Sequence, residues 1–255
     1  MKQLLAIDFK NVTKTYQTTK GRYGLLTDKV SDFLSFGGKK KNSLGDINAL
    51  KNISFGIFKG ETVGIIGRNG AGKSTILKLI SKITYPNQGN IISQGKIGAF
   101  IELGAGLHPE LTGRENIYLY GAILGMKKKD IDARFNEIVD FAGIKKFLDL
   151  PIKKYSSGMY SRLGFSVVAH CDPDLLLVDE VLAVGDMEFQ KKCLEKMRSF
   201  AKEKTIVFVS HDLNAIASIC SRVIYLDKGK IVKSGKAKTV IDFYKKSSKD
   251  ITKVH

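Results

Sequence analysis

The chain of 255 residues is long enough for one large domain or two small ones with a substantial core. Its apolar runs, such as residues 175–178, fall far short of the roughly 18 residues that cross a bilayer, and its N-terminus lacks a signal-peptide core, so we expect a protein that is cytosolic or docks on a membrane from the cytosol. The net charge of +17 predicts an anionic partner, whether nucleic acid, acidic lipid or an anionic substrate, although the dispersed lysines also fit an ordinary solvated surface.

The first predicted element is a half-buried β-strand at residues 4–15, where apolar and polar residues alternate. It ends at Tyr16, and a tyrosine in that position more often packs than binds a ligand. Residues 18–46 form an insertion rich in glycine, lysine and serine, with a single helical stripe that either packs on the domain or contacts a partner. The apolar residues of that stripe are Leu26, Val30, Phe33 and Leu34.

Residues 67–75 read Gly-Arg-Asn-Gly-Ala-Gly-Lys-Ser-Thr and fit the pattern G-x-x-x-x-G-K-[ST] at every fixed position. Strands predicted at 49–58 and 61–66 lead into this stretch, and a helical pattern through Ile83 follows it, which is the context of a phosphate-binding loop. We expect its backbone N–H groups to cradle phosphate, Lys73 to reach the β- and γ-phosphates and Ser74 to bind Mg²⁺. The predicted nucleotide-binding residues are Gly67, Arg68, Asn69, Gly70, Ala71, Gly72, Lys73, Ser74 and Thr75.

A strand predicted at residues 96–103 is followed by an irregular loop and then by a helical region. Thr112 and Glu115 match a capping box at the start of a helix that runs through Leu124. A second helix has its apolar face at Ile131, Phe135, Ile138 and Ala142. We therefore expect a small helical subdomain set into an α/β core, from residue 103 to about 151, or to about 170 with the helix that comes next.

The stretch Tyr155-Ser156-Ser157-Gly158-Met159 precedes a predicted helix that runs through His170. Unpaired N–H groups at the start of a helix attract anions, and serine at that position also serves as an ordinary N-cap. This stretch is therefore either a second anion site or a simple helix start.

Two buried strands end in residues that suit phosphate chemistry. The strand at 174–178 ends in Asp179-Glu180, and the strand at 205–209 ends in Ser210-His211. Ligands of open α/β sheets bind at the carboxyl ends of the strands. We therefore expect Asp179 to bind Mg²⁺, Glu180 to orient or deprotonate an attacking water, and His211 to contact the γ-phosphate.

The last predicted elements are a helix at 213–220, a hairpin with strands at 223–226 and 230–233, and a short basic helix from about Lys238. The hairpin turns at Asp227-Lys228-Gly229. The three cysteines are scattered without metal-ligand spacing, and we expect them to be reduced structural thiols. They are Cys171, Cys193 and Cys220.

The order and spacing of these motifs resemble the ATP-binding subunit of an ABC transporter along nearly the whole chain. The matching segments are the phosphate loop, the helical subdomain, residues 155–159 in place of the family signature, Asp179-Glu180, residues 183–186 and His211. The resemblance implies an α/β fold of the P-loop NTPase type, with a mostly parallel sheet core, an N-terminal antiparallel β region and the inserted helical subdomain. It also implies ATP and Mg²⁺ as ligands, in a homodimer that closes head to tail around each ATP.

By the same resemblance, Tyr16 would stack on adenine, Glu180 would be the general base, His211 would contact the γ-phosphate and Asp186 would belong to the D-loop. The phosphate loop of one subunit would face the signature of the other. The signature residues contributed in trans would be Tyr155, Ser156, Ser157, Gly158 and Met159.

Glu102 departs from the family pattern, because the family usually has a glutamine at the end of the strand that enters the helical subdomain. A carboxylate still suits Mg²⁺ or the positioning of water. Its charge adds to those of Asp179 and Glu180. The additional negative charge changes the electrostatics of the site and therefore when hydrolysis occurs.

Several motifs look like those of the branch that exports bacterial cell-surface polysaccharides, namely O-antigens, capsules and teichoic acids. They are residues 102–106, 111–116, 155–159 and 182–186, and that branch also carries extra residues between its first two strands. The resemblance implies an integral membrane permease as partner, at the cytoplasmic face of the bacterial plasma membrane, and a lipid-linked polysaccharide handled mainly through that permease. Some members have a C-terminal carbohydrate-binding domain. This sequence stops before any such domain, so if it is full length we expect the glycan to be recognised elsewhere.

Two other functions fit the same motifs. One is an ABC ATPase for another substrate, such as a lipid or a drug. The other is a nucleic-acid-associated ABC ATPase, which the basic charge would suit. The stretch from Lys73 to Ser156 has neither heptads nor room for the long coiled coil of repair members, so we expect no nucleic-acid partner.

Overall fold

The structure is a computed structural model that describes residues 4–18, 44–100, 106–179 and 185–252. Several sequence predictions lie outside the described residues. They are the helical stripe at Leu26, Val30, Phe33 and Leu34, the carboxylate of Glu102 with the strand end and loop around it at 101–105, the general base Glu180, and residues 182–184 of the predicted family motifs.

The described chain forms nine strands and seven α-helices. The strands are β1 (Leu5–Thr18), β2 (Leu44–Phe58), β3 (Thr62–Ile66), β4 (Gln88–Ser93), β5 (Ile97–Phe100), β6 (Leu175–Asp179), β7 (Thr205–Val209), β8 (Arg222–Asp227) and β9 (Lys230–Lys236). The helices are α1 (Lys73–Ile80), α2 (Gly113–Ile123), α3 (Lys128–Ala142), α4 (Ser157–Ala169), α5 (Met187–Phe200), α6 (Leu213–Ile219) and α7 (Ala237–Thr252).

The strands form two sheets. One is antiparallel, in the order β2-β1-β4, and the other has six strands in the order β5-β6-β7-β3-β8-β9. Every neighbouring pair in the larger sheet is parallel except β8 and β9, which form an antiparallel hairpin. This arrangement confirms the predicted α/β class, with a mostly parallel core and an N-terminal antiparallel region.

The central strand β7 is fully buried, and its alternate residues face opposite sides of the parallel sheet. Val207 and Val209 belong to a core that packs the N-terminal sheet and α1 against the parallel sheet. Ile206 and Phe208 belong to a second core, which packs the sheet against α4, α5 and the helical subdomain. A strand buried on both faces reads as a continuous apolar run, which is why the sequence predicted it well.

Helices α2, α3 and α4 pack on one another, and residues 106–154 contain no β-strand apart from one isolated bridge between Thr112 and Pro151. The predicted capping box is present: the Thr112 hydroxyl oxygen accepts from the Glu115 N–H at 3.2 Å, and the Glu115 carboxylate accepts from the Thr112 N–H at 2.8 Å. The described part of the middle region is therefore helical, as predicted.

Several boundaries differ from the sequence predictions. Strand β1 continues to Thr18 and β2 begins at Leu44, so both ends of the predicted insertion belong to the antiparallel sheet. Ile83 was wrongly assigned to the helical face, because α1 ends at Ile80 and Ile83 is 62% exposed. Helix α7, predicted as short, has 16 residues.

Strand β4 and helix α5 were not predicted. Strand β4 is mostly exposed and contains few apolar residues, so it lacks the alternation that marks a half-buried strand. Its pairing partner, β1, is distant in sequence. Local patterns therefore contain little information about it.

Candidate nucleotide-binding site

The phosphate loop has the concave backbone that its glycines allow. Gly70 and Gly72 have φ of +77° and +109°, in the left-handed region that favours glycine. A Cβ atom at Gly67 would lie 2.3 Å from the carbonyl oxygen of Leu226, and one at Gly72 would lie 2.6 Å from that of Ala49. The loop is therefore fixed by close backbone contacts as well as by its own turns.

Lys73 begins α1, and its residue exposure is only 7%. Its Nζ donates to the carbonyl oxygens of Gly67 at 3.0 Å and Arg68 at 3.2 Å, so the ammonium lies against the loop. The first turn of α1 contains no acidic residue, which leaves the positive end of the helix uncompensated by carboxylates in that turn. A cation and helix N–H groups together suit a phosphate.

The carboxyl ends of β3, β6 and β7 meet at the edge of the sheet where this loop lies. Ile65 pairs with Val209, and Val209 pairs with Asp179, so Asp179 and the residues that follow β7 are brought to one edge. Asp179 is partly exposed and His211 is exposed. After His211, the Asp212 carboxylate caps α6 by accepting the N–H groups of Asn214 and Ala215.

The donor set at this edge fits a hard divalent cation. Ser74 is an exposed residue in the first turn of α1 and supplies a hydroxyl, while Asp179 supplies a carboxylate at the end of β6. Oxygen donors of this kind are those that Mg²⁺ prefers.

Tyr16 lies inside β1 rather than at its end, and it is 38% exposed. The Nζ of Lys14 lies 5.0 Å from the centroid of its ring and also donates to the carbonyl oxygen of Tyr85 at 2.8 Å. The ring is thus held by a cation–π contact while part of its surface remains accessible for stacking.

The predicted signature forms a cavity of about 580 Å³ at the start of α4. Ser156 is the N-cap, and its hydroxyl accepts from the Met159 N–H at 3.2 Å. A Cβ at Gly158 would meet only the Ser156 hydroxyl, at 3.9 Å, so the space above it is open. The described lining residues are Ser156, Ser157, Gly158, Met159, Ser161, Arg162, Gly185 and Asp186.

The side chain of Tyr155 is engaged elsewhere. Its hydroxyl donates to the Phe147 carbonyl oxygen at 2.8 Å and lies so close to Gly113 that a Cβ there would be 2.2 Å away. Burial raises the pKa of this phenol, which therefore stays protonated. Through these contacts Tyr155 attaches the start of the signature to the helical subdomain.

Sequence reasoning missed Arg162. Its guanidinium forms an ion pair with Asp186 and lies 5.3 Å above the ring of Phe189. Asp186 also caps α5, since its Oδ1 accepts from the Phe189 N–H at 2.9 Å. That hydrogen bond and then Arg162 lower the pKa of Asp186. The sequence spacing could have indicated Arg162 as a site residue, because it lies four residues after Gly158 and therefore on the same face of the helix.

Comparisons with known proteins show the family to which the chain belongs. Residues 50–183 match the family described as ABC transporter. The chain belongs to that family, and it is an ATP hydrolase built on an ABC ATP-binding domain.

Curated relatives match most of the chain. The O-antigen export system ATP-binding protein RfbB of Klebsiella pneumoniae is 42% identical over 246 residues, which cover 94% of this chain and 98% of that protein. The teichoic acids export ATP-binding protein TagH of Bacillus anthracis is 44% identical over 240 residues, which cover 93% of this chain and 42% of that protein. The chain thus spans nearly all of one relative and less than half of the other.

A solved structure has the same architecture. It is a dimeric ATP-binding cassette in a post-hydrolysis state with ADP and Pi bound. It superposes on the present chain with a TM-score of 0.71 at 25% sequence identity. The match covers 91% of the present chain and 98% of the chain in that structure. Among the described residues of the present chain, no helix is long and apolar enough to cross a membrane.

Proposed function

We propose that this chain is the ATPase subunit of an exporter for a lipid-linked polysaccharide of the O-antigen, capsule or teichoic acid type. The substrate class is supported by the two kinds of relative, both named as export ATP-binding proteins, that match along more than nine-tenths of the chain. An ABC exporter for a lipid or a drug is the alternative.

The phosphate loop binds the phosphates of ATP through its N–H groups, and Lys73 moves from the loop carbonyls to the β- and γ-phosphates. Ser74 and Asp179 would hold Mg²⁺, with Glu102 as a further ligand or water-positioning group. When bound, Mg²⁺ would neutralise charge that develops on the phosphates. Glu180 takes a proton from the attacking water, and His211 contacts the γ-phosphate.

The geometry of the signature cavity supports a head-to-tail homodimer. Among the described residues, its lining includes none from the phosphate loop. A helix start with open space above Gly158 attracts an anion, so the cavity fits the γ-phosphate of an ATP held by a second copy. Tyr16 stacks on the adenine of the ATP in its own subunit, and Asp186 lies beside the partner's ATP.

The membrane partner is an integral permease, and the ATPase docks on it at the cytoplasmic face of the bacterial plasma membrane. The contact surface lies at residues 103–108, next to the helical subdomain. This subdomain lies beside the γ-phosphate, so its movement on hydrolysis can be transmitted to the permease through that contact. The insertion at 18–46 faces the membrane and the anionic lipid diphosphate. No nucleic acid takes part.

Glu180→Gln tests the catalytic assignment and the dimer. The substitution keeps the shape of the side chain but removes the base, so hydrolysis should fall by roughly 10²–10⁴ while ATP contacts survive. The variant should accumulate as an ATP-bound dimer, which gel filtration with ATP and magnesium would detect. A variant that stays monomeric at saturating ATP contradicts the head-to-tail arrangement.

Co-purification tests the export assignment. A tagged subunit isolated from membranes should bring a polytopic permease with it, and Lys73→Ala cells should accumulate the lipid-linked glycan inside. Accumulation of another lipid or of a drug would favour the alternative substrate. Nucleic acid retained through high salt would point away from transport altogether.

A further inference from the structure

The turn between β8 and β9 touches the phosphate loop, although it lies more than 150 residues away in sequence. The turn consists of Lys228 and Gly229, with φ of +47° and +79°. The Gly229 N–H donates to the carbonyl oxygen of Ala71 at 3.1 Å. The Gly229 carbonyl oxygen accepts from the Lys51 N–H, in β2, at 2.8 Å. The turn therefore links the phosphate loop to the N-terminal sheet.

Backbone packing leaves no room between these three segments. A Cβ at Gly229 would lie 2.8 Å from the Ala49 carbonyl oxygen, which is also the atom that a Cβ at Gly72 would approach to 2.6 Å. On its other side, the loop meets β8, since a Cβ at Gly67 would lie 2.3 Å from the Leu226 carbonyl oxygen. A displacement of the turn must therefore displace the loop.

The hydrogen bond from Gly229 also fixes the direction of a backbone N–H group that can donate to phosphate. In a planar trans peptide the C=O and the following N–H point in opposite directions. Because the Ala71 carbonyl points at the turn, the Gly72 N–H points away from it, at the N-terminal end of α1. N–H groups at this end are those that bind phosphate.

We infer that Gly229 is a positioning residue for nucleotide binding, which orients the Ala71–Gly72 peptide of the phosphate loop from the back. It sets the affinity for the phosphate groups without touching them. This inference rests on the proposed phosphate-binding role of residues 67–75.

Gly229→Ala tests the inference, and Gly60→Ala is its matched control. Gly60 also lies in a tight turn between two strands, with φ of +76°, but a Cβ there meets nothing within 4 Å. The two variants share the backbone strain and differ in the clash with Ala49. Gly229→Ala should weaken binding of both MgATP and pyrophosphate about tenfold, the size expected for losing one well-aligned hydrogen bond and its packing. Gly60→Ala should change them less than about twofold.

The kinetic readout separates positioning from general destabilisation. Gly229→Ala should raise KM for ATP by the same factor as the dissociation constant and keep kcat near the parental value at saturating ATP. Equal affinities in the two variants would overturn the inference. A loss for ATP without a loss for pyrophosphate would also overturn it, because the defect would then lie on the adenine side. A parent protein that bound neither ligand would instead refute the proposed function.

If Gly229→Ala does not fold, hydrogen exchange on the unaltered protein tests the inference instead. Pyrophosphate should slow exchange of the Gly229 amide, since phosphate stabilises the loop whose carbonyl accepts it. The Gly60 amide, which donates to the Thr205 hydroxyl at 2.9 Å, should be unaffected. Unchanged exchange at Gly229 would show that the turn and the loop are independent.

Discussion

Replacing Asn116 with alanine removes a fully buried side chain that organises the loop before α2. Its carbonyl oxygen accepts from the His108 N–H at 2.7 Å. Its amide nitrogen donates to the carbonyl oxygens of His108, Leu111 and Thr112 at 3.1, 3.0 and 2.9 Å. Two amide hydrogens serve three acceptors, so the side chain makes about three full hydrogen bonds.

A hydrogen bond contributes about 1 kcal/mol net, so Asn116→Ala should lower the free energy of unfolding by about 3 kcal/mol. For a chain of this size, that loss corresponds to a fall in Tm of about 6–12 °C. The loop itself should become mobile, because its polar backbone groups lose their common partner. It adjoins residues 103–108, which we propose as the contact with the permease.

The assay compares Asn116→Ala with Asn136→Ala, the same substitution at an exposed position of α3. Both should hydrolyse ATP near the parental rate as isolated subunits below their Tm. Only Asn116→Ala should show the fall in Tm and reduced export in cells. Equal Tm values would refute the hydrogen-bond reasoning. Normal export despite the fall in Tm would refute the role of this loop in coupling.

Two further predictions concern the signature and the cysteines. Ser156→Arg should spare ATP binding but suppress hydrolysis by filling the cavity of about 580 Å³. Mixing this variant with Lys73→Ala protein should restore at most one working site per dimer. Loss of ATP affinity in the Ser156 variant alone would contradict a site shared between subunits. Burial raises the pKa of Cys171 to about 11 and those of Cys193 and Cys220 to about 12. Because the thiolate is the reactive form, all three should resist a thiol-specific reagent at pH 8 and react after unfolding in urea; rapid labelling of the native protein would contradict their burial.

The elements that the sequence predicted best are those specified by neighbouring residues. The capping box at Thr112 and Glu115 and the buried run of β7 each depend on a few adjacent side chains. The phosphate loop is similar, because its glycines and Lys73 lie within one short stretch.

The contacts that the sequence did not predict join distant segments. Nothing near Gly229 indicates that its N–H reaches Ala71, and nothing near Arg162 names Asp186 as its partner. Strand β4 depends on pairing with β1 rather than on its own apolar pattern. Such features arise from tertiary packing, which a local pattern does not encode.

Asp186 has a consequence for the timing of hydrolysis. It caps α5 and pairs with Arg162 of the signature helix, so it joins the start of α5 to the signature cavity. Only five residues separate Asp186 from Glu180, the proposed base. In the proposed head-to-tail dimer, the cavity holds the partner's ATP while Glu180 serves the subunit's own. We expect loss of the γ-phosphate from one site to act on the start of α5, which is close in sequence to the proposed base, so that the two ATP molecules are hydrolysed in turn rather than independently.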